Sequence, residues 1–346
     1  MITPNSKLEV LPERQIISID EACKVIKSIL LKIGCSKKES DSISDHLVDT
    51  SLCGMESHGV MRVLQYAEQF QAGYMKPNRQ PKVKKNKHGA VEVDGDGGIG
   101  ITAMNLAYKK GISLARKTGI SALSIRNVGH TGRHGAFADW AAEQGFLTIM
   151  LGGGNRKTWR QVAPHGGTKA LLPTNPYCIG IPGGNKGPVI LDFATSKIAG
   201  GWLYAAKSAG AMLPENCIID SDGNPTRDPA AYFQGGAILP AGAHKGYALA
   251  LVAELIGEAM LGPATTECNW FLISVDTQKW RCQSTMKSTA EDILTELRES
   301  PPREGFKKVE IPGEREREHR ELSNNKIAIP PQTWDQIIDL DKKLNK

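Results

Sequence analysis

From residue 90 onward, short apolar runs alternate with helix-length stretches of mixed polarity, and this alternation restricts the chain to an α/β (α+β) architecture. Residues 90–93, 121–125, 147–151, 177–181 and 189–193 read as strands. Residues 103–117 and 136–144 read as helices, closed by Gly119 and Gly145. The run 247–261 is apolar on every side and predicts a helix with no broad face toward water, and 270–275 predicts a buried strand. The first 75 residues are patterned differently, as three helices. Asp20 caps the first, which buries Val25, Ile26, Ile29 and Leu30 and stops at Gly34. Ser36 and Glu39 form a capping box for the second, and Ser57 caps a third over 57–72. Residues 77–89 are basic, carry Pro77 and Pro81, and predict a linker or hairpin between domains. The stretch 284–320 is charged with a helix near 288–298, and Thr333 caps a terminal helix after Pro330 and Pro331.

The chain has 346 residues, enough for one large domain or two to three smaller ones. Hydrophobic residues at 40% and charged residues at 23% fit a soluble globular protein. Part of the net charge of +6 lies in Lys82, Lys84, Lys85 and Lys87. No aromatics interleave with it, so it reads as a solvated surface and not as a nucleic-acid groove. The seven cysteines, Cys23, Cys35, Cys53, Cys178, Cys217, Cys268 and Cys282, stand far apart without a CxxC pair. That argues against a disulfide framework or metal site and for a reducing compartment. The N-terminus lacks a basic region followed by an apolar run, and no stretch of about 18 apolar residues occurs. The expectation is a cytoplasmic protein with no membrane contact.

Several polar islands exceed what packing alone requires. Ser57-His58-Gly59 is followed by Arg62 and Tyr66. On a 57–72 helix, His58, Arg62 and Tyr66 would share one face. A guanidinium fork would hold a small carboxylate substrate bidentately, and an imidazole would exchange a proton near neutral pH. The competing reading of His58 is a satisfied core histidine; Ser57 and Arg62 beside it favour chemistry, because a buried guanidinium needs an anion and acids are few nearby. His130, between Gly129 and Gly132, reads as a ligand-facing histidine or a turn histidine. Asp192-Phe193-Ala194-Thr195-Ser196 reads as a helix-capping cluster or as a cradle for cofactor phosphates or ribose. Lys245, after His244, either snorkels or pairs with a phosphate. Gly95-x-Gly97-x-x-Gly100 matches the dinucleotide fingerprint, but no acidic residue lies between Asp96 and Asp139 to hold a ribose, so a glycine-rich hairpin or turn is preferred. No paired carboxylates at catalytic spacing and no GxSxG support hydrolase chemistry.

Taken in order, these islands resemble the type 2 malate/L-lactate dehydrogenase family, which spans ureidoglycolate dehydrogenase, diketogulonate reductase, sulfolactate dehydrogenase and piperideine/pyrroline-2-carboxylate reductases. The resemblance covers about residues 15–340. It is carried by Ser57-His58-Gly59-Val60 with Arg62, Val93-Asp94-Gly95, Gly129-His130 with Gly132, Ala163-Pro164 with Gly166-Gly167, Thr174-Asn175-Pro176, Asp192 to Ser196, Gly223 with Pro225-Thr226, Lys245-Gly246-Tyr247, Asn269-Trp270-Phe271 and Pro312-Gly313-Glu314. It implies a homodimeric oxidoreductase using NAD or NADP in a non-Rossmann domain with a largely antiparallel sheet, plus a small helical domain. The helical domain would comprise 15–80 and 285–346, and the cofactor-binding and catalytic domain 81–284. The implied reaction is hydride transfer to or from C2 of a small 2-hydroxy or 2-oxo acid. The alternatives are reduction of a cyclic imino acid, or a cofactor-binding protein that has lost catalysis. His58 and His130 match positions assigned as proton donor or acceptor in different members. Arg62, with Ser57 and Tyr66, would hold substrate. Asp192, Phe193, Ala194, Thr195, Ser196, His244, Lys245, Gly313, Glu314 and Arg315 would hold the cofactor. The chain departs from the family pattern at Gly153-Gly154-Asn155, at Ala199-Gly200-Gly201-Trp202, which lacks basic residues, and at His244.

Overall fold

The computed structural model describes residues 13–154, 159–209 and 211–344. The amino-terminal part runs β1 (Gln15–Ser18), α1 (Ile19–Lys32), α2 (Lys37–Leu52), a 3-10 turn (Glu56–His58) and α3 (Arg62–Gln71). Next come β2 (Lys82–Lys85), β3 (Val91–Gly98), α4 (Gly100–Thr118), β4 (Ile120–Val128), α5 (His134–Glu143), β5 (Phe146–Gly153), β6 (Tyr177–Gly184) and β7 (Gly187–Phe193). After α6 (Gly200–Ala209) a small three-stranded sheet forms from β8 (Ile218–Ile219), β9 (Pro225–Thr226) and β10 (Ala237–Ile238), with α7 (Pro229–Phe233) between the last two. The chain continues through α8 (His244–Glu254), β11 (Asn269–Asp276), α9 (Gln283–Glu299), α10 (Glu314–Leu322), β12 (Lys326–Ile329) and α11 (Pro331–Lys343).

The large sheet has the order β2-β3-β4-β11-β5-β6-β7. Only β3 and β4 pair in parallel; the other neighbours are antiparallel, with Leu272 of β11 opposite Leu123 and Met150. Side chains on β11 alternate in burial, and Trp270 and Leu272 belong to the main core with Ile125, Met150, Met104 and Phe137. The same core continues into the amino-terminal helices. Ile26, Ile29 and Leu30 of α1 are fully buried with Trp334 and Ile337 of α11. Each such aliphatic side chain contributes about 1.5–3 kcal/mol. The pairing of β1 with β12 holds the two chain ends together. Among the described residues no helix is long and apolar enough to cross a membrane.

Several expectations are corrected by the structure. The proposed 57–72 helix is broken: Gly59 is extended, with φ −85° and ψ −154°, so His58 closes a separate 3-10 turn and Met61, not Ser57, precedes α3. The break follows from docking, since Ser51 Oγ accepts the Val60 N–H at 3.0 Å and pulls the chain onto the end of α2. Ser18, not Asp20, caps α1, accepting the Glu21 N–H. Pro330, not Thr333, precedes α11, whose first residue Pro331 needs no N–H donor. Gly152 and Gly153 extend β5 beyond the expected 147–151: Gly152 lies against the Trp270 indole and Gly153 against the backbone of α8. Asn155 and the first twelve residues lie outside the described residues. The 77–89 segment forms a hairpin, with β2 on the sheet edge beside β3.

Gly95 to Gly100 is neither a hairpin nor an isolated turn. Gly95 and Gly97 lie within β3, and Gly100 opens α4, in a β–α–β unit whose strands are parallel. Packing explains the glycines. A Cβ on Gly95 would come within 2.8 Å of the Asn127 carbonyl oxygen and overlap Val128, and one on Gly100 within 2.6 Å of the Gly129 carbonyl. The motif thus lets the strand approach the segment that carries His130. Gly95→Ala should destabilise the fold by about 1–3 kcal/mol through overpacking. Urea denaturation would read this as a lower midpoint, and an unchanged midpoint would show that the contact is not restrictive.

Candidate active site

Five of the expected residues meet at the junction of the amino-terminal helices and the carboxy-terminal end of β4. Ser57 and His58 come from the 3-10 turn, Arg62 and Tyr66 from α3, and His130 from the loop after β4. The His58 and His130 rings lie 5.5 Å apart, and the Tyr66 ring is 5.6 Å from His130. Arg62 and Tyr66, four residues apart, share one helical face as expected; His58 joins them through the turn before the helix. The Arg62 Nε donates to the Ser57 carbonyl at 2.6 Å, and its guanidinium also reaches Gln65 Oε1. These bonds orient the fork, and among the described residues it has no carboxylate partner.

The hydrogen bonds assign the proton on His130. The Gly132 N–H lies 3.2 Å from Nδ1 and can only donate, so Nδ1 carries a lone pair. Tyr66 Oη, 2.7 Å from the same atom, therefore also donates, and the proton of the neutral ring sits on Nε2. His58 Nδ1 is 2.9 Å from Ser57 Oγ, a contact compatible with either direction. Desolvation, and next the Arg62 charge, holds both imidazoles well below the usual 6.5. Both rings are half-buried, and both are neutral at pH 7. Desolvation also raises the phenol of the fully buried Tyr66, which stays protonated.

Two further histidines, not singled out by sequence, support this loop. His46 Nε2 accepts the Arg133 N–H at 2.9 Å and stacks on Phe137 at 5.0 Å. His134 Nε2 is 2.7 Å from Thr131 Oγ1, and its ring lies 4.4 Å from that of Trp270. Their sequence signal is weak, because each is an isolated histidine whose partner lies in another element.

The residues expected to hold a cofactor fall into two groups. Asp192 lies one residue before the end of β7, and its Oδ2 accepts the Gly135 N–H at 2.7 Å. Gly313, with φ +95°, sits against Ile190, whose N–H donates to the Pro312 carbonyl at 3.0 Å. Asp192, Phe193, Gly313 and Arg315 thereby line one cleft of about 360 Å³, together with Arg133, Arg317 and Arg320. Glu314 turns away into an ion pair with Arg298 at 2.7 Å. In the second group, Thr195 and Ser196 are buried beside the start of α8, where the Ala241 N–H donates to the Thr195 carbonyl at 2.8 Å. His244 and Lys245 are exposed in the first turn of α8, and Ala194 is half-buried before Thr195. Gly246 packs so tightly on the Thr195 carbonyl that a Cβ would lie 2.7 Å from it.

Burial holds the pKa of His46 and of His134 at about 3, with Arg133 and His134 adding to the effect at His46. An unfolded histidine titrates near 6.5, so between pH 6.5 and 3 the unfolded chain binds protons that these two residues refuse. Folding stability should therefore fall as pH drops below 6.5, by up to roughly 1.4 kcal/mol per pH unit for each histidine. Urea midpoints from pH 7 to pH 5 test this, and His134→Gln should flatten the slope. An equal slope in that variant would remove His134 from the account.

Sequence comparison agrees with this geometry. The sequence model of the malate/L-lactate dehydrogenase family matches residues 17–338. Hydroxycarboxylate dehydrogenase B of Escherichia coli strain K12 is 31% identical over 337 residues, covering 92% of this chain and 91% of that protein. A Δ1-pyrroline-2-carboxylate/Δ1-piperideine-2-carboxylate reductase of Pseudomonas putida is 32% identical over 246 residues, 71% of each chain. The solved structure of sulfolactate dehydrogenase from Methanocaldococcus jannaschii superposes with a TM-score of 0.83 at 29% identity, covering 96% of this chain and 98% of that one. A match over nearly the whole length, in sequence and in fold, makes this chain a member of the malate/L-lactate dehydrogenase family of oxidoreductases.

Proposed function

We propose that the protein catalyses reversible hydride transfer between a nicotinamide dinucleotide and C2 of a small 2-hydroxy or 2-oxo acid. The observation that carries this reading is the pair of neutral imidazoles 5.5 Å apart beside a guanidinium that forms no salt bridge among the described residues. Arg62 binds the substrate carboxylate bidentately, and Ser57 and Tyr66 fix the two imidazoles. His130 presents its Nε2–H to the oxygen on C2. His58 donates its Nδ1–H to Ser57 Oγ, which leaves Nε2 with a lone pair. In the oxidative direction His58 Nε2 accepts the C2 hydroxyl proton as the hydride leaves C2. In reverse, the resulting imidazolium returns that proton to the alkoxide; with so low a pKa it is a strong acid. A cyclic 2-imino acid presents nitrogen where the ketone presents oxygen, and the same groups serve it. The name of the Pseudomonas putida relative favours keeping this second reading.

The cleft fits a phosphate-bearing cofactor. Arg133, Arg317 and Arg320 help to line it beside Asp139, Asp192, Glu310 and Glu316, and the Nε of each of the three is buried without a hydrogen-bond partner. The cofactor supplies the hydride donor or acceptor. On this reading Asp192 to Ser196, His244, Lys245, Gly313 and Arg315 hold it, in a non-Rossmann mode that bypasses Gly95 to Gly100, while Glu314, paired with Arg298, braces the segment behind them. A helical unit of 15–80 with 285–346, beside a unit of 81–284, belongs to the same proposal; its support is the pairing of β1 with β12. All seven cysteines are free, which supports a cytoplasmic setting.

Oxidation of NADH and of NADPH by the purified protein, against a panel of 2-oxo acids and cyclic 2-imino acids, tests the reaction. Turnover with one class identifies substrate and cofactor together; nucleotide binding without any turnover would favour an inactive cofactor-binding protein. His58→Ala and His130→Ala should each lower kcat about 10²- to 10⁴-fold with the fold intact. Arg62→Lys should chiefly raise KM, because lysine lacks the planar fork.

We also propose a homodimer. The helix expected to be apolar all round instead exposes Leu249, Leu251, Val252 and Leu255 in the single chain. A contiguous apolar face of this kind marks an association surface. Sedimentation should show a dimer that Val252→Asp converts to monomer.

A further inference from the structure

Glu267 lies in the segment leading into β11 and has no part in the chemistry above. Thr265 Oγ1 donates to Asn127 Oδ1 at 3.1 Å, and the Thr266 hydroxyl bonds the Val128 carbonyl. These bonds run the segment that carries Glu267 alongside the end of β4, from which the His130 loop departs. Its Oε1 is sealed from solvent and has no hydrogen-bond partner. An unpaired buried carboxylate oxygen is costly to fold, so one retained beside a binding site calls for a ligand. The groups whose charge couples with it are Arg62 and Tyr66 from α3, Tyr74 from the following loop, and Cys268 next in sequence. Arg62 is the only cation among them, and the proposed function already commits its fork to the substrate C1 carboxylate.

We propose that Glu267 is a specificity residue that reads the tail of the substrate, accepting a hydrogen bond from an ammonium or hydroxyl there and repelling a second carboxylate or sulfonate. The inference rests on the proposed function for the placement of the substrate head on Arg62. The preferred substrate is then a 2-hydroxy or 2-oxo monocarboxylate with a donor in its side chain, and dicarboxylates are disfavoured. Burial raises the Glu267 carboxyl to about 7, with Arg62 opposing the shift, so the group is mostly ionised at pH 8 and mostly neutral at pH 6. Discrimination against a second anion should therefore be strong at pH 8 and weak at pH 6.

The test is equilibrium binding at pH 8 of three acids that share the same head: L-lactate, L-malate and L-4-amino-2-hydroxybutyrate. Binding is followed by calorimetry with saturating NAD⁺ or NADP⁺, so no turnover is needed. The ammonium-tailed acid should bind at least about tenfold more tightly than malate, and Glu267→Gln should shrink that ratio to within about threefold while leaving lactate little changed. Glu267→Asp should retain part of the preference, which a merely structural role would not produce. An unchanged ratio in Glu267→Gln, tighter binding of malate by the unmodified protein, or no binding of any of the three would each overturn the proposal. Selective binding without any hydride transfer would instead sink the proposed function and leave the reading of Glu267 as a tail sensor standing.

Discussion

Strand β11 is held on both edges, antiparallel to β4 and to β5, and the candidate site depends on that insertion. The strand arrives from more than 100 residues downstream of both partners. Its burial brings Trp270 under His134 and aligns the preceding segment with the end of β4. Without it the His130 loop would have one neighbouring strand and no floor. Long-range pairing of this kind costs loop-closure entropy before any contact repays it, and the apolar face of Trp270 and Leu272 supplies the compensating burial.

The second constraint is electrostatic. Arg62 stands beside two imidazoles in a site with little water, and like charges in a poorly screened medium repel strongly. The imidazoles yield by staying neutral, since a guanidinium does not deprotonate. Neutrality leaves each ring one donor and one acceptor nitrogen, and the neighbouring hydrogen bonds decide which is which on His130. His130 is set by Gly132 and Tyr66, and in the proposed reaction such preorganisation would spare reorganisation.

The arginine-lined cleft solves a different problem. Arg133 is almost wholly buried, yet it pairs with Asp49 at 3.0 Å, and Arg317 pairs with Asp139 at 3.0 Å. The Nε of each is buried without a hydrogen-bond partner. A bare buried cation would be expensive. One braced by a carboxylate costs less to bury, and the proposed anionic cofactor would use what remains of its donor capacity.

Local periodicity in the sequence alone marked strands β3 to β7 and β11, helices α4 and α5, and the apolar faces of α1 and β11, while the ordered motifs carried the resemblance to the family. Such features depend on neighbours within about one or two turns, which the sequence displays directly. The break at Gly59 was not legible, because it comes from Ser51 docking against Val60 and not from any helix-stopping residue type. The tight packing of Gly95 and Gly100 was equally hidden, since a glycine fingerprint reads the same whether a phosphate or a neighbouring strand fills the space. His46, His134 and Glu267 carried little signal, as the Arg133 N–H over His46, the Trp270 ring against His134 and the strand end beside the Glu267 segment all lie 80 or more residues away. Side-chain identity thus set which chemistry was available; burial and strand pairing, which act between residues distant in sequence, decided which of those groups meet.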